Sequence, residues 1–174
     1  AESVSELVFD LLPFTVDSIW FNEELVPGFR HDGRKLTIKL PHRMSRGSPL
    51  LLTVFYKGKP FSDSRWGGFY FRHGTAFNMG VGMASSPPVF GRAWFPCVDN
   101  FTDRASYEFF IQVEDEYTAV CNGTLVEIID QPGPYRTFHW QLQESIPTYL
   151  ASVAVSRYTH IESEIRGMER KIPV

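Results

Sequence analysis

Residues 35–40 read Lys-Leu-Thr-Ile-Lys-Leu, and this strict alternation constrains the chain more than any other feature. Successive side chains of a strand point to opposite faces, so Leu36, Ile38 and Leu40 take one dry face and Lys35, Thr37 and Lys39 the other. Asp32-Gly33 just ahead marks a hairpin, because glycine tolerates the positive φ of tight turns. The same period recurs. Leu7, Phe9 and Leu11 alternate, and a run from Val16 closes on Trp20 and Phe21. Gly67–Phe71, Tyr107–Val113, Ala119–Cys121 and Leu125–Ile129 read as further strands. In 135–142, Tyr135, Thr137, His139 and Gln141 alternate with Arg136, Phe138, Trp140 and Leu142. Leu50–Tyr56 is almost continuously apolar and reads as a strand buried on both faces. Tyr149–Tyr158 reads as one long last strand. No window couples an N-cap to sustained 3.6-residue periodicity, so no long helix is expected, only a short helical turn near Asp99–Ala105. The fold class that follows is all-β: a mostly antiparallel two-sheet β-sandwich, in one β domain over 1–174.

Twelve Pro and thirteen Gly punctuate these runs, among them the turns Asn122-Gly123 and Gln131–Pro134. With 43% hydrophobic residues, fifteen of them Phe, the chain can build a core without disulfide or metal staples. Cys97 and Cys121 therefore read as buried free thiols. A net charge of −3 without charge blocks points away from nucleic acid and anionic membranes. No apolar run has the length of a membrane span. The start, Ala1–Glu6, is acidic and lacks the regions of a signal peptide, and cytoplasmic and exported locations both fit the composition. Asn100-Phe101-Thr102 and Asn122-Gly123-Thr124 fit a glycosylation pattern of low specificity.

The machinery of hydrolysis is missing from the pattern. The five histidines, His31, His42, His73, His139 and His160, show no i, i+4 pair, and there is no HExxH, GxSxG or phosphate-binding glycine loop. His139 reads as a strand-face or partly buried histidine with a satisfied ring, in preference to a zinc ligand. No cofactor is expected in this chain. The segment Arg72–Arg92 is long for a connection and marks a functional loop.

One stretch is unusual: Gly91-Arg-Ala-Trp-Phe-Pro-Cys-Val-Asp-Asn100, continuing through Asp103-Arg-Ala-Ser-Tyr-Glu-Phe109. Trp94 and Phe95 form a large apolar anchor, Pro96 fixes φ, and Arg92, Asp99, Asp103 and Arg104 offer paired hydrogen bonds. On physical grounds this is a rigid buried corner. The pattern R-x-W-F-P-C-x-D followed by D-R-A-x-Y-x-F also resembles the signature of the N-terminal domain of aminopeptidase N-type zinc peptidases, a group that includes leukotriene hydrolase. Trp66–Phe71, Ala119–Gly123 and Pro147–Val155 resemble neighbouring pieces of that domain, in the same order and spacing, and 36–41 fits its early strands.

The resemblance implies a saddle-shaped, two-sheet β structure that packs on a separate catalytic domain of the same polypeptide. Zinc is then expected in that missing domain, and the implied chemistry releases N-terminal residues from a peptide substrate. It also implies that Phe77–Pro88 faces the substrate cleft, with Met83, Ala84, Ser85 and Ser86 as substrate-binding residues. Two departures stand out. Ser85 occupies the place where the family carries a Gln or Glu that grips the substrate amine, and Asn100-Phe101 replaces the usual acidic residue and proline. Both point to a divergent branch. The alternative class is a free-standing β-sandwich binding module for carbohydrate or protein, with Trp20, Trp66 or Trp140 as its contact aromatics.

Overall fold

The computed structural model describes residues 3–161, 164–166 and 171–173. The alternating segments become β1 (Ser3–Asp10), β2 (Thr15–Phe21), β3 (Glu24–Leu25), β4 (Phe29–His31), β5 (Lys35–Ser45) and β6 (Leu52–Lys57). These pair as two three-stranded sheets, β1-β5-β4 and β3-β2-β6. Next come β7 (Gly68–Arg72), β8 (Thr75–Met79), β9 (Arg104–Glu114), β10 (Thr118–Cys121), β11 (Thr124–Gln131), β12 (Tyr135–Pro147) and β13 (Val153–Ser156). They form a four-stranded sheet, β10-β13-β8-β7, and a three-stranded one, β11-β12-β9. A hairpin of β14 (Glu164–Arg166) and β15 (Lys171–Pro173) completes the described strands. Each of these ladders is antiparallel, and the fold is all-β. No described helix is long and apolar enough to cross a membrane.

The ladders gather around two apolar cores. The first is built by strands β1 to β6 and the turns between them, with Leu11, Phe14, Ile19, Phe21, Val26, Leu36, Ile38 and Leu40 buried. The alternation at 35–40 is realised directly, since Leu36, Ile38 and Leu40 are buried while Lys35 and Lys39 are exposed. The hairpin before it turns on Gly33 at φ +86°, and the Asp32 carboxylate accepts from the Arg34 and Lys35 N–H groups. Those two bonds hold the Asp32 carboxyl below its ordinary value, the Lys35 N–H contributing most. The second core gathers Phe109, Cys121, Ala151 and Val153 against Phe69, Trp94, Phe95, Tyr107 and Trp140.

Four readings need correction. β6 is buried on one side only: Phe55 is 53% exposed, and Leu50 and Leu51 lie outside the strand at the surface. A continuous apolar run thus fills a sheet with one open face. The strand expected over Tyr149–Tyr158 spans only Val153–Ser156, and Thr148–Leu150 is a 3-10 turn. Side chains interrupt the ladder there. Asn78 donates to the Ala151 carbonyl and accepts from the Val153 N–H, and the Asn122 amide oxygen accepts from the Ser152 N–H. The helical turn falls at Gly91–Ala93, not 99–105, where the Asn100 side chain accepts from the Thr102 and Asp103 N–H groups before β9 begins. Finally, Arg72–Arg92 is not one long loop. Arg72 ends β7, His73 and Gly74 turn at positive φ, and β8 pairs back, so the irregular part starts at Gly80.

Both thiols are free and buried, and burial pushes Cys121 up to about 12 and Cys97 higher still. A thiol reagent at neutral pH should therefore leave the native chain unmodified and titrate two thiols after denaturation; fewer than two in unreduced, denatured protein would contradict this reading. Ile38 has no exposed surface. Ile38→Ala should lower stability by about 2–5 kcal/mol in urea denaturation, the range for a core aliphatic truncated to alanine.

Candidate functional site

The signature segment lies where the two cores meet. On one side it pairs with the end of β1: the Asp10 N–H donates to the Cys97 carbonyl at 2.7 Å, and the Cys97 N–H returns to Asp10 at 3.1 Å. The Leu12 N–H donates to the Arg92 carbonyl at 2.9 Å. The Tyr56 hydroxyl of β6 donates to the Trp94 carbonyl at 2.8 Å, and burial pushes that phenol up to about 12. On the other side the Trp94 ring packs against Phe69, Phe95 and Phe109 of the second core.

Asp99 is the knot of this corner, its side chain wholly buried. Its carboxylate accepts from the N–H groups of Gly91 and Arg92, both at 3.2 Å, and from the Thr148 hydroxyl at 3.3 Å. The Arg92 guanidinium stands 3.7 Å away and lies over the Phe90 ring. The Asp99 N–H donates in turn to the Asp10 carboxylate, which pairs with Lys35 at 2.6 Å. Burial raises the Asp99 carboxyl above its ordinary value, against the pull of Arg92, Gly91 and Thr148. Arg104 does not join the knot; it donates to the Ser145 carbonyl.

The loop of residues 80–90 rises from this corner. Gly80 lies so close to Tyr149 that a Cβ would fall 1.6 Å from the Tyr149 carbonyl oxygen, and one on Gly82 would strike the Phe90 ring. Only glycine permits these approaches. The Phe90 N–H donates to the Gly80 carbonyl at 2.7 Å and closes the loop at its root. Inside it, the Ser85 hydroxyl donates to the Pro87 carbonyl at 2.8 Å. A cleft of about 770 Å³ opens beside the loop, with Ala84, Ser85 and Ser86 on its wall beside Phe90, Arg92 and Asp99. The facing wall comes from the first core's side, with Asp10, Arg34 and Lys35. Met83 does not line the cleft; it projects from the loop and is 85% exposed.

Asp10, Lys35 and Thr148 carry no local signal in the sequence. Asp10 and Asp99 stand 89 residues apart, and only the fold brings them together. Of the three candidate contact aromatics, Trp20 and Trp66 are partly exposed, whereas Trp140 packs against the second core and donates to the Ala119 carbonyl. Among the described residues no group of three His, Cys, Asp or Glu side chains is placed to hold a metal ion.

Removing the Asp99 carboxylate would strand two buried N–H groups, a hydroxyl and a guanidinium. Asp99→Ala should cost about 3–5 kcal/mol, as breaking a buried pair does. Asp99→Asn keeps an acceptor and should cost less. Because the folded chain holds the Asp99 proton more tightly than the unfolded one, this group stabilises most at low pH and loses that contribution as pH rises through its folded value. Thermal melts at stepped pH should therefore show wild type losing ground to Asp99→Asn as pH rises through and just above the ordinary carboxyl range.

Residues 16–150 match the peptidase M1 N-terminal domain. Aminopeptidase Q of Acinonyx jubatus is 26% identical over 162 residues, which cover 90% of this chain and 16% of that protein. Transcription initiation factor TFIID subunit 2 of Drosophila melanogaster is 34% identical over 68 residues, 38% of this chain and 6% of that protein. Among solved structures, the M1 zinc metallopeptidase of Deinococcus radiodurans bound to a Tyr-Ser-Ala substrate superimposes with a TM-score of 0.85 at 21% identity, over 99% of this chain and 39% of that one. Legionella pneumophila aminopeptidase A in complex with aspartic acid gives a TM-score of 0.82 at 20% identity, over 98% of this chain and 19% of that one. The chain thus spans well under half the length of these proteins.

Proposed function

The chain belongs to the peptidase M1 N-terminal domain family, and on that premise we propose that residues 1–174 act as one non-catalytic β domain of a zinc aminopeptidase. It packs on the catalytic domain of the same polypeptide and lends one wall to the peptide-substrate cleft. Zinc would be held by that catalytic domain and would supply the hydrolytic chemistry there. This chain's own residues bind and shape.

The observation that carries the reading is the rooted loop of residues 80–90 beside its cleft. Ala84, Ser85 and Ser86 stand on the wall, and Gly80 and Phe90 hold the loop at its base. Ser85 gives its proton to the Pro87 carbonyl, so its oxygen keeps lone pairs with which to accept from a substrate N–H. Ser85 supplies no charge, so its own hold on a substrate amine would be a hydrogen bond, and charge would come from carboxylates of the cleft such as Asp10. Met83, flexible and polarizable, suits an adaptable apolar contact at the rim.

In the parent enzyme, Ser85→Ala and Met83→Ala should each shift KM or substrate preference about two- to tenfold while kcat and the melting temperature stay near wild type, because ground-state binding is lost and not the chemical step. Unchanged kinetics for both variants would sink the cleft-wall role. The chain by itself should release no amino acid from aminoacyl substrates, which a fluorogenic assay on purified protein checks.

A further inference from the structure

On the outer face of the β9-β12-β11 sheet, away from the cleft, one histidine stands between two carboxylates. His139 is on the central strand, opposite Phe110 of β9 and Glu127 of β11. Its Nε2 is 2.7 Å from a Glu108 oxygen and its Nδ1 is 3.5 Å from a Glu127 oxygen. The ring stacks on Phe110 at 4.2 Å. The imidazole side chain is only 12% exposed, whereas Glu108 and Glu127 are 53% and 57% exposed.

A neutral imidazole has one N–H donor and one lone pair. If Nε2–H serves Glu108, the Nδ1 lone pair faces the Glu127 oxygen, and Nδ1 is indeed buried without a hydrogen-bond partner. Only the doubly protonated ring can donate to both carboxylates at once. The residues sharing this face strengthen the case. By register they are Glu108, Phe110, Gln112 and Glu114 on β9, Tyr135, Thr137 and Gln141 on β12, and Thr124, Glu127, Ile129 and Gln131 on β11. The titratable groups are thus three carboxylates, one phenol and His139, with no Lys or Arg. His139 is the one group there able to become a cation, and it sits over an aromatic face that also favours one.

We propose that His139 is a proton-operated clasp: taking up a proton lets it tie β9, β12 and β11 together across the sheet's outer face. The inner face of that sheet carries Phe109, which stacks on Trp94, and Trp140, which packs on the same core, so the clasp stiffens the support of the signature corner.

Urea denaturation of the chain at about pH 8 and about pH 5.5, on either side of imidazole's ordinary titration, tests this. Comparison with His139→Gln cancels the other titrating groups. Acidification should lower the unfolding constant of wild type about three- to tenfold relative to the variant, the effect of two exposed-partner ion pairs. The double substitution Glu108→Gln with Glu127→Gln should abolish most of that gain while keeping the ring in place. Nitrogen-15 spectra of wild type at about pH 5.5 should show protons on both ring nitrogens of His139, a readout that stands even where a variant fails to fold. Parallel behaviour of wild type and His139→Gln, or a proton on Nε2 alone, would overturn the proposal.

Discussion

The buried Asp99 carboxylate is the interaction on which the arrangement of the chain depends. Two apolar cores, each with its own sheets, meet along a segment with little regular structure of its own. Within that segment one side chain takes up two backbone N–H groups and the Thr148 hydroxyl and faces a guanidinium. A buried charge of this kind is costly unless fully partnered. The partners come from three places: the 3-10 turn at Gly91–Ala93, the turn at Thr148, and, through the Asp99 N–H, the end of β1. Specific geometry at the junction thus follows from the cost of leaving any one of them unpaired.

Much of the fold was legible because it rests on local pattern. The alternation at 35–40 fixes which residues face the first core, and Asp32-Gly33 places the hairpin, both by rules that act over a few residues. The misreadings share a cause. Apolar content at 50–56 cannot say whether a second layer covers the strand. Tyr149–Tyr158 reads as continuous because the interruption comes from Asn78 and Asn122, far away in sequence. The helical turn was misplaced because the Asn100 side chain captures the N–H groups that a helix would have used.

The site was legible in a different way. Arg92, Asp99, Asp103 and Arg104 were visible together as residues that offer paired hydrogen bonds; the structure pairs Arg92 with Asp99 and turns Arg104 to the Ser145 carbonyl. Ala84, Ser85 and Ser86 were chosen through the resemblance to the peptidase family, and the structure sets them on the wall of a cleft while leaving Met83 outside it. The facing wall, Asp10, Arg34 and Lys35, could not be read at all. It consists of ordinary surface residues on a hairpin and a strand end, and they gain meaning only from the long-range pairing of Asp10 with Cys97.

The closed root of the loop has an evolutionary consequence. Between Gly80 and Phe90 the backbone is fastened to itself and pressed against Tyr149, so substitutions at the root are severely restricted. Residues 83–86 beyond it bear on no sheet and bury little. Insertions, deletions and exchanges at those four positions can therefore accumulate at small cost in stability, each reshaping the rim of the cleft. Such a division lets one scaffold diversify what it recognises while its architecture drifts slowly, a pattern consistent with strong structural similarity to proteins about one-fifth identical in sequence.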